Sequence, residues 1–197
     1  MRWKKTSRHI IFDVKRDFTR KACWVKDCHK TPTPELSTYA GVVSRESVRI
    51  ALTYAALNGI DVMAANIKNA HLQAPSSEKH YVICGLEFGI ENVGKVALLQ
   101  QALYRGKSSG ADFWKHLCFC MTHPCFEPCK GDGDVWMRKA LKKDSTPYWE
   151  HILLYVDDAL CISMDSKNVL ENQIDKYFVI KPGSVGPPKL YLGNKVS

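Results

Sequence analysis

The run Ile152-Leu153-Leu154-Tyr155-Val156-Asp157-Asp158-Ala159-Leu160-Cys161-Ile162 sets two adjacent carboxylates between two apolar stretches. Each flank is short and rich in Ile, Leu, Val and Tyr, which predicts two strands joined into a hairpin with Asp157 and Asp158 at its tip. Asp-Asp lacks the glycine that two-residue turns favour, so the turn is expected to be mildly strained. Ionised side chains between core strands are costly unless something positive meets them, and this placement points to a metal site. The plain alternative is a solvated turn carrying two ordinary acids.

Around the hairpin, the pattern predicts an α+β fold. At 197 residues and 45% hydrophobic content, the chain has enough apolar material for one domain or two small lobes. Thr31-Pro32-Thr33-Pro34-Glu35 reads as a loop, because prolines at that density continue neither a helix nor a central strand. A helix is expected next, capped by Ser44, with Val48, Ala51, Leu52, Ala55 and Ala56 as its apolar stripe and Asn58-Gly59 as its stop. Residues 60–65 read as a buried strand leading to Asn66. Residues 81–84 and 96–99 read as short strands, with turns at Gly85, Gly89 and Gly94. A second helix is expected from about Ser109, burying Phe113, Trp114, Leu117, Cys118 and Met121 and bounded by Pro124. Strands at 134–137 and 151–155 follow, with a Lys-rich turn between them. A third helix fits 167–178, with Leu170, Ile174, Tyr177 and Phe178 inward and Pro182 as its limit. Helices and strands mixed without strict alternation indicate helices packed on one face of a mainly antiparallel sheet.

Lysine and arginine number 28 against 20 acids, a net charge of +8 with a pI near 9.0, which favours a polyanionic partner such as nucleic acid. Cations gather early, at Arg2, Lys4, Lys5, Arg8, Lys15, Arg16, Arg20, Lys21, Lys26 and Lys30. Trp3, Phe12, Phe18 and Trp24 interleave with them, and stacking groups among cations suit a single-strand surface. No apolar run approaches the ~18 residues of a membrane span, and the amino terminus lacks the apolar core of a secretion signal, so an intracellular protein is expected. In that setting the eight cysteines are expected as reduced thiols, with Cys84 and Cys161 as core residues. Zinc is an alternative for Cys23, Cys28 and His29, or for His116, Cys118, Cys120, His123, Cys125 and Cys129, but the spacings do not form two matched ligand pairs.

Tyr155-Val156-Asp157-Asp158 within an apolar hairpin resembles the active-site signature of reverse transcriptases. Further segments fit in order: Lys21-Ala22-Cys23-Trp24-Val25, Thr38-Tyr39-Ala40-Gly41-Val42-Val43-Ser44-Arg45, Asn66 to Pro75, Leu103-Tyr104-Arg105-Gly106-Lys107-Ser108, and Tyr191-Leu192-Gly193. Together they resemble the copia-type retrotransposon reverse transcriptase from about Ile10 onward. The resemblance implies the fingers and palm of a right-hand polymerase, with fingers at roughly 1–60 and 76–108 and palm at roughly 61–75 and 109–197. It implies RNA-directed DNA synthesis with two Mg²⁺ ions on an RNA template with a DNA primer, or an RNA–DNA hybrid, from deoxynucleoside triphosphates. No membrane partner is expected.

By that resemblance Asp157 and Asp158 are the hairpin metal ligands, and Asn66 stands where the family has a third catalytic aspartate. Asp61 cannot replace it: five residues along a strand it faces the other side, about 17 Å away at ~3.3 Å per residue. Residues expected to meet the nucleotide are His71, in the place of a family Phe or Tyr, with Lys21, Lys107 and Tyr155. Cys23 replaces a usual arginine, Arg105 a usual loop glycine, and Lys107-Ser108 a usual Lys-Gln. An asparagine offers one neutral carbonyl and an NH₂ where an aspartate offers charged oxygens, so weakened Mg²⁺ binding and little or no polymerase activity are expected. The sequence ends at Gly193-Asn194-Lys195-Val196-Ser197 with no thumb, RNase H, integrase or protease segment, which leads to the expectation of an incomplete, degenerate copy. The alternatives are a non-catalytic RNA- or DNA-binding remnant and a zinc-supported interaction protein.

Overall fold

The computed structural model describes residues 3–15, 18–27, 34, 38–188, 190–191 and 194–195. The expected loop at Thr31 to Glu35, apart from Pro34, lies outside these residues, as do Cys28, His29 and the Leu192-Gly193 pair. In chain order the described strands are β1 (Lys4–Lys5), β2 (Arg8–Val14), β3 (Arg20–Lys26), β4 (Asp61–Asn66), β5 (Pro75–Ile83), β6 (Val96–Gln101), β7 (Glu127–Pro128), β8 (Val135–Leu141), β9 (Pro147–Tyr155), β10 (Asp158–Ser163), β11 (Leu190–Tyr191) and β12 (Asn194–Lys195). The α-helices are α1 (Arg45–Asn58), α2 (Ala70–Gln73), α3 (Ser109–Thr122) and α4 (Ser166–Asn168), the last continued by a π-helical stretch over Val169–Ile174. The chain is thus a mixed α+β protein. It forms two compact units, the first from Met1–Ala40 and His71–His116, the second from Gly41–Ala70 and Leu117–Ser197.

The second unit is built on a five-stranded antiparallel sheet in the order β4-β10-β9-β8-β7. α1 forms because Ser44 caps it, its hydroxyl accepting from the Ser47 N–H, and because Gly59 ends it in the left-handed region at φ 59°. Its Val48, Ala51 and Ala55 pack with Val135, Leu153, Leu160 and Ile162 of the sheet in one buried cluster. This helix falls in the segment 1–60 that the sequence assigns to fingers, yet it packs here on the sheet of the second unit.

One expectation needs correcting: the helices do not cover a single face. All residues from Ala159 to Ser163 are buried, and successive strand residues point to opposite sides, so both faces of β10 are covered. On the side away from α1, Arg138 of β8 donates to Glu150 of β9, to the Pro124 carbonyl just beyond α3 and to Gln173 of the π-helical stretch. The unbroken apolarity of the two hairpin flanks is the signature of this double burial. A second correction concerns the third helix, expected over 167–178. Leu170, Ile174 and Phe178 are buried as foreseen, but the backbone widens, with the Asp175 N–H reaching the Leu170 carbonyl five residues back.

In the first unit, β2 and β3 form a hairpin, and β1, β5 and β6 form a second sheet. Arg8 lies over the rings of Trp24 and Phe88 and pairs with Glu87. The strand foreseen at 81–84 starts earlier, at Pro75, because Glu78 and His80 are buried polar residues that break the apolar signal. The Lys26 ammonium donates to Glu78 and to His80 Nδ1, both at 3.0 Å, while the Ser108 hydroxyl reaches Glu78 at 2.9 Å and Asp112 at 3.1 Å. Cys84 and Cys161 are buried core residues. Among the described residues no helix is long and apolar enough to cross a membrane.

Candidate active site

β9 and β10 pair tightly up to Tyr155 opposite Asp158, leaving Val156 and Asp157 as the two central residues of the turn. The tip is therefore Val156-Asp157 rather than the Asp157-Asp158 foreseen, and Asp158 begins the returning strand. Val156 takes φ 53°, in the left-handed region normally left to glycine. Positive φ at the first central residue alone is the pattern of a type II′ turn, the form that matches strand twist. The Asp157 carbonyl accepts from the Ile67 N–H at 2.7 Å, which ties the turn to the end of β4.

Asp158 lies directly opposite Asn66 in the antiparallel register of β10 with β4. Directly opposed residues project to the same face with Cβ atoms about 5 Å apart, so the register alone brings the two side chains together. The Asn66 Nδ2 donates to Asp158 Oδ1 at 3.0 Å. An ionised carboxylate only accepts, so the amide must turn its NH₂ toward it.

The main chain of Asn66 is gripped on its other side by a segment that sequence reasoning did not single out. Its N–H donates to the Ser184 hydroxyl at 3.1 Å, and its carbonyl accepts from the Lys181 N–H at 2.8 Å and from the Ser184 hydroxyl at 3.4 Å. With the Ile67–Ile180 and Ala64–Gly186 bridges, this covers the free edge of β4. Pro182-Gly183-Ser184 carries turn-forming residues, but nothing local in the sequence ties it to a strand 118 residues earlier.

Burial is the largest influence on Asp158 and pushes its carboxyl above the usual range; the charge of Asp157 adds to this, and the Asn66 hydrogen bond opposes it. Asp157 is exposed, whereas Asp158 and Asn66 are half-buried. Tyr191 is buried nearby: its hydroxyl points to the Leu153 carbonyl at 3.5 Å, and burial, then the charge of Asp158, drives its pKa upward.

Asn66, Tyr155, Asp157 and Asp158 all belong to the second unit. His71, Lys21 and Lys107 belong to the first. The His71 ring is packed edge-on against Tyr104 and Phe113, with centroids at 5.3 and 5.8 Å. Lys21 is exposed on β3 opposite Asp13, at the wall of an open cleft of about 720 Å³ lined by Phe12, Asp13, Val14, Arg20, Lys21 and Ala22. Lys107 is half-buried in the turn that leads into α3. Among the described residues no three His, Cys, Asp or Glu side chains converge to hold a metal ion; Cys28 and His29 of the zinc alternative are not among them.

The family model described as reverse transcriptase (RNA-dependent DNA polymerase) matches residues 6–197, and the chain belongs to that family. Its members act on a nucleic acid template with nucleotide substrates. No curated protein matches the chain significantly.

Proposed function

We propose that the chain is a copia-type reverse transcriptase domain, with fingers in its first unit and palm in its second, whose chemistry is disabled at Asn66. The observation that carries this is the hydrogen bond from the Asn66 amide to Asp158. Hard dications take oxygen ligands, and two of them need several carboxylates. Here Asp158 meets an N–H donor and Asp157 is exposed, so the residues present do not suit a pair of Mg²⁺ ions. Charge stabilisation supplies most of the rate in phosphoryl transfer, and a missing ligand costs orders of magnitude.

The test is primer extension on an RNA template, comparing the natural chain with Asn66→Asp. Restoring the carboxylate is expected to raise extension by about 10²-fold or more over a near-blank natural chain. Equal, robust extension by both would overturn the assignment of Asn66.

A second role, holding RNA or hybrid without catalysis, is favoured by the β2–β3 hairpin. Phe12 and Phe18 stand largely exposed beside Arg20 and Lys21. Aromatic faces among cations suit nucleic-acid strands, and binding through them weakens steeply as salt rises. Affinity for a labelled hybrid that is insensitive to salt would remove this role.

A further inference from the structure

We infer that Asn66 supplies to Asp158, from within the fold, the partner that a cation would otherwise supply, so that the acidic hairpin is complete without a divalent ion. Asn66 here is a positioning residue that acts through Asp158.

Three observations converge on it. First, the β4–β10 register places Asn66 across from Asp158, and the amide bonds the carboxylate at 3.0 Å. A hydrogen bond to a charged acceptor is among the stronger kinds, and Asp158 is half-buried, where an unpartnered charge is costly. Second, Asn66 is held on both edges, by β10 on one side and by Lys181 and Ser184 on the other, so its main chain cannot withdraw from the acid. Third, Ile67 bonds the Asp157 carbonyl, which fixes the turn by main-chain contacts rather than through either carboxylate. An aspartate at position 66 would face Asp158 at hydrogen-bond distance with Asp157 next in sequence, and three such carboxylates need a proton or a cation between them. The asparagine removes that requirement.

The inference rests on the proposed reading of position 66 only in taking aspartate as the contrasting residue. The experiment is thermal unfolding of the full chain by circular dichroism, in EDTA and in millimolar Mg²⁺ or Mn²⁺, for the natural chain, Asn66→Asp and Asn66→Ala. The natural chain is expected to melt at the same temperature in all three. Asn66→Asp is expected to melt about 3 °C or more lower in EDTA and to recover with either ion. Asn66→Ala is expected to melt lower and not to recover, since it removes the donor without adding a charge. If Asn66→Asp melts like the natural chain in EDTA, or if the natural chain gains as much from Mg²⁺ as the variant does, the inference is wrong. Should Asn66→Asp fail to fold under every condition, Asn66→Ala decides: a lowered, ion-independent melt supports the inference and an unchanged one overturns it. Extension activity is read separately. Cation-dependent melting of Asn66→Asp without extension would leave this inference standing while removing the polymerase reading.

Discussion

Val156 carries the main-chain cost of the acidic turn. A β-branched residue at φ 53° clashes with its own backbone, and such outliers cost about 1–3 kcal/mol each. Its side chain is 40% exposed, so removing it sacrifices little packing. Glycine would relieve the strain but add roughly 0.5–1 kcal/mol of unfolded-chain entropy. Val156→Gly is therefore expected to stabilise the second unit by about 1 kcal/mol, raising the melting temperature by about 3 °C. A lowered melting point would show that Val156 makes contacts that outweigh its backbone. At this scale the sequence marks the acids, because charges between apolar runs stand out, but it does not mark which residues form the turn. Turn type follows from the twist of the paired strands, and that depends on partners far along the chain.

Among the elements, α1 was the most legible, since Ser44 and Gly59 act on the few residues beside them. Gly59 also allows a clean test. A Cβ there would meet nothing within 4 Å, so the cost of Gly59→Ala is the left-handed backbone alone. About 1 kcal/mol of lost stability is expected, read from denaturant unfolding, and no loss would mean that the helix end rearranges freely. The element after β10 was legible only in part. Leu170, Ile174 and Phe178 recur every four residues, a spacing that serves an α-helix and a widened π turn alike, so periodicity cannot separate the two. The β2–β3 hairpin was missed because its strands carry Arg8, Asp13, Arg20 and Lys21 among the apolar residues, and its turn uses Phe18 at φ 60° where a glycine would have signalled it.

Across the molecule, the His80–Glu78 pair of the first unit and Asp158 of the second answer to pH in opposite senses. In the first, burial, followed by the charge of Lys26, depresses the His80 pKa, with Glu78 opposing in part. Burial alone would raise Glu78, but hydrogen bonds from Lys26 and Ser108 bring its carboxyl below the ordinary value. Both folded-state values lie below the unfolded ones, so the unfolded chain takes up protons first as pH falls. The stability these groups contribute is present above their unfolded values and is lost downward from about pH 6.5, first through His80 and then through Glu78. Asp158 in the second unit is raised, so what it contributes is present at low pH and is lost as pH rises through its folded value. Melting between pH 7 and 5 is expected to fall for the natural chain and to fall less for His80→Asn; equal slopes would assign the loss to other groups.

The sheet of the second unit also ties together distant parts of the chain. Asn66 meets a residue 92 positions later, and residues 71–116, between the two segments of that unit, belong to the other one. During synthesis β4 emerges long before β10 exists, so its backbone edge must wait in solution or on a chaperone while the intervening segment is translated. Any contiguous fragment that holds the acidic face must therefore carry residues 71–116 of the other unit along with it.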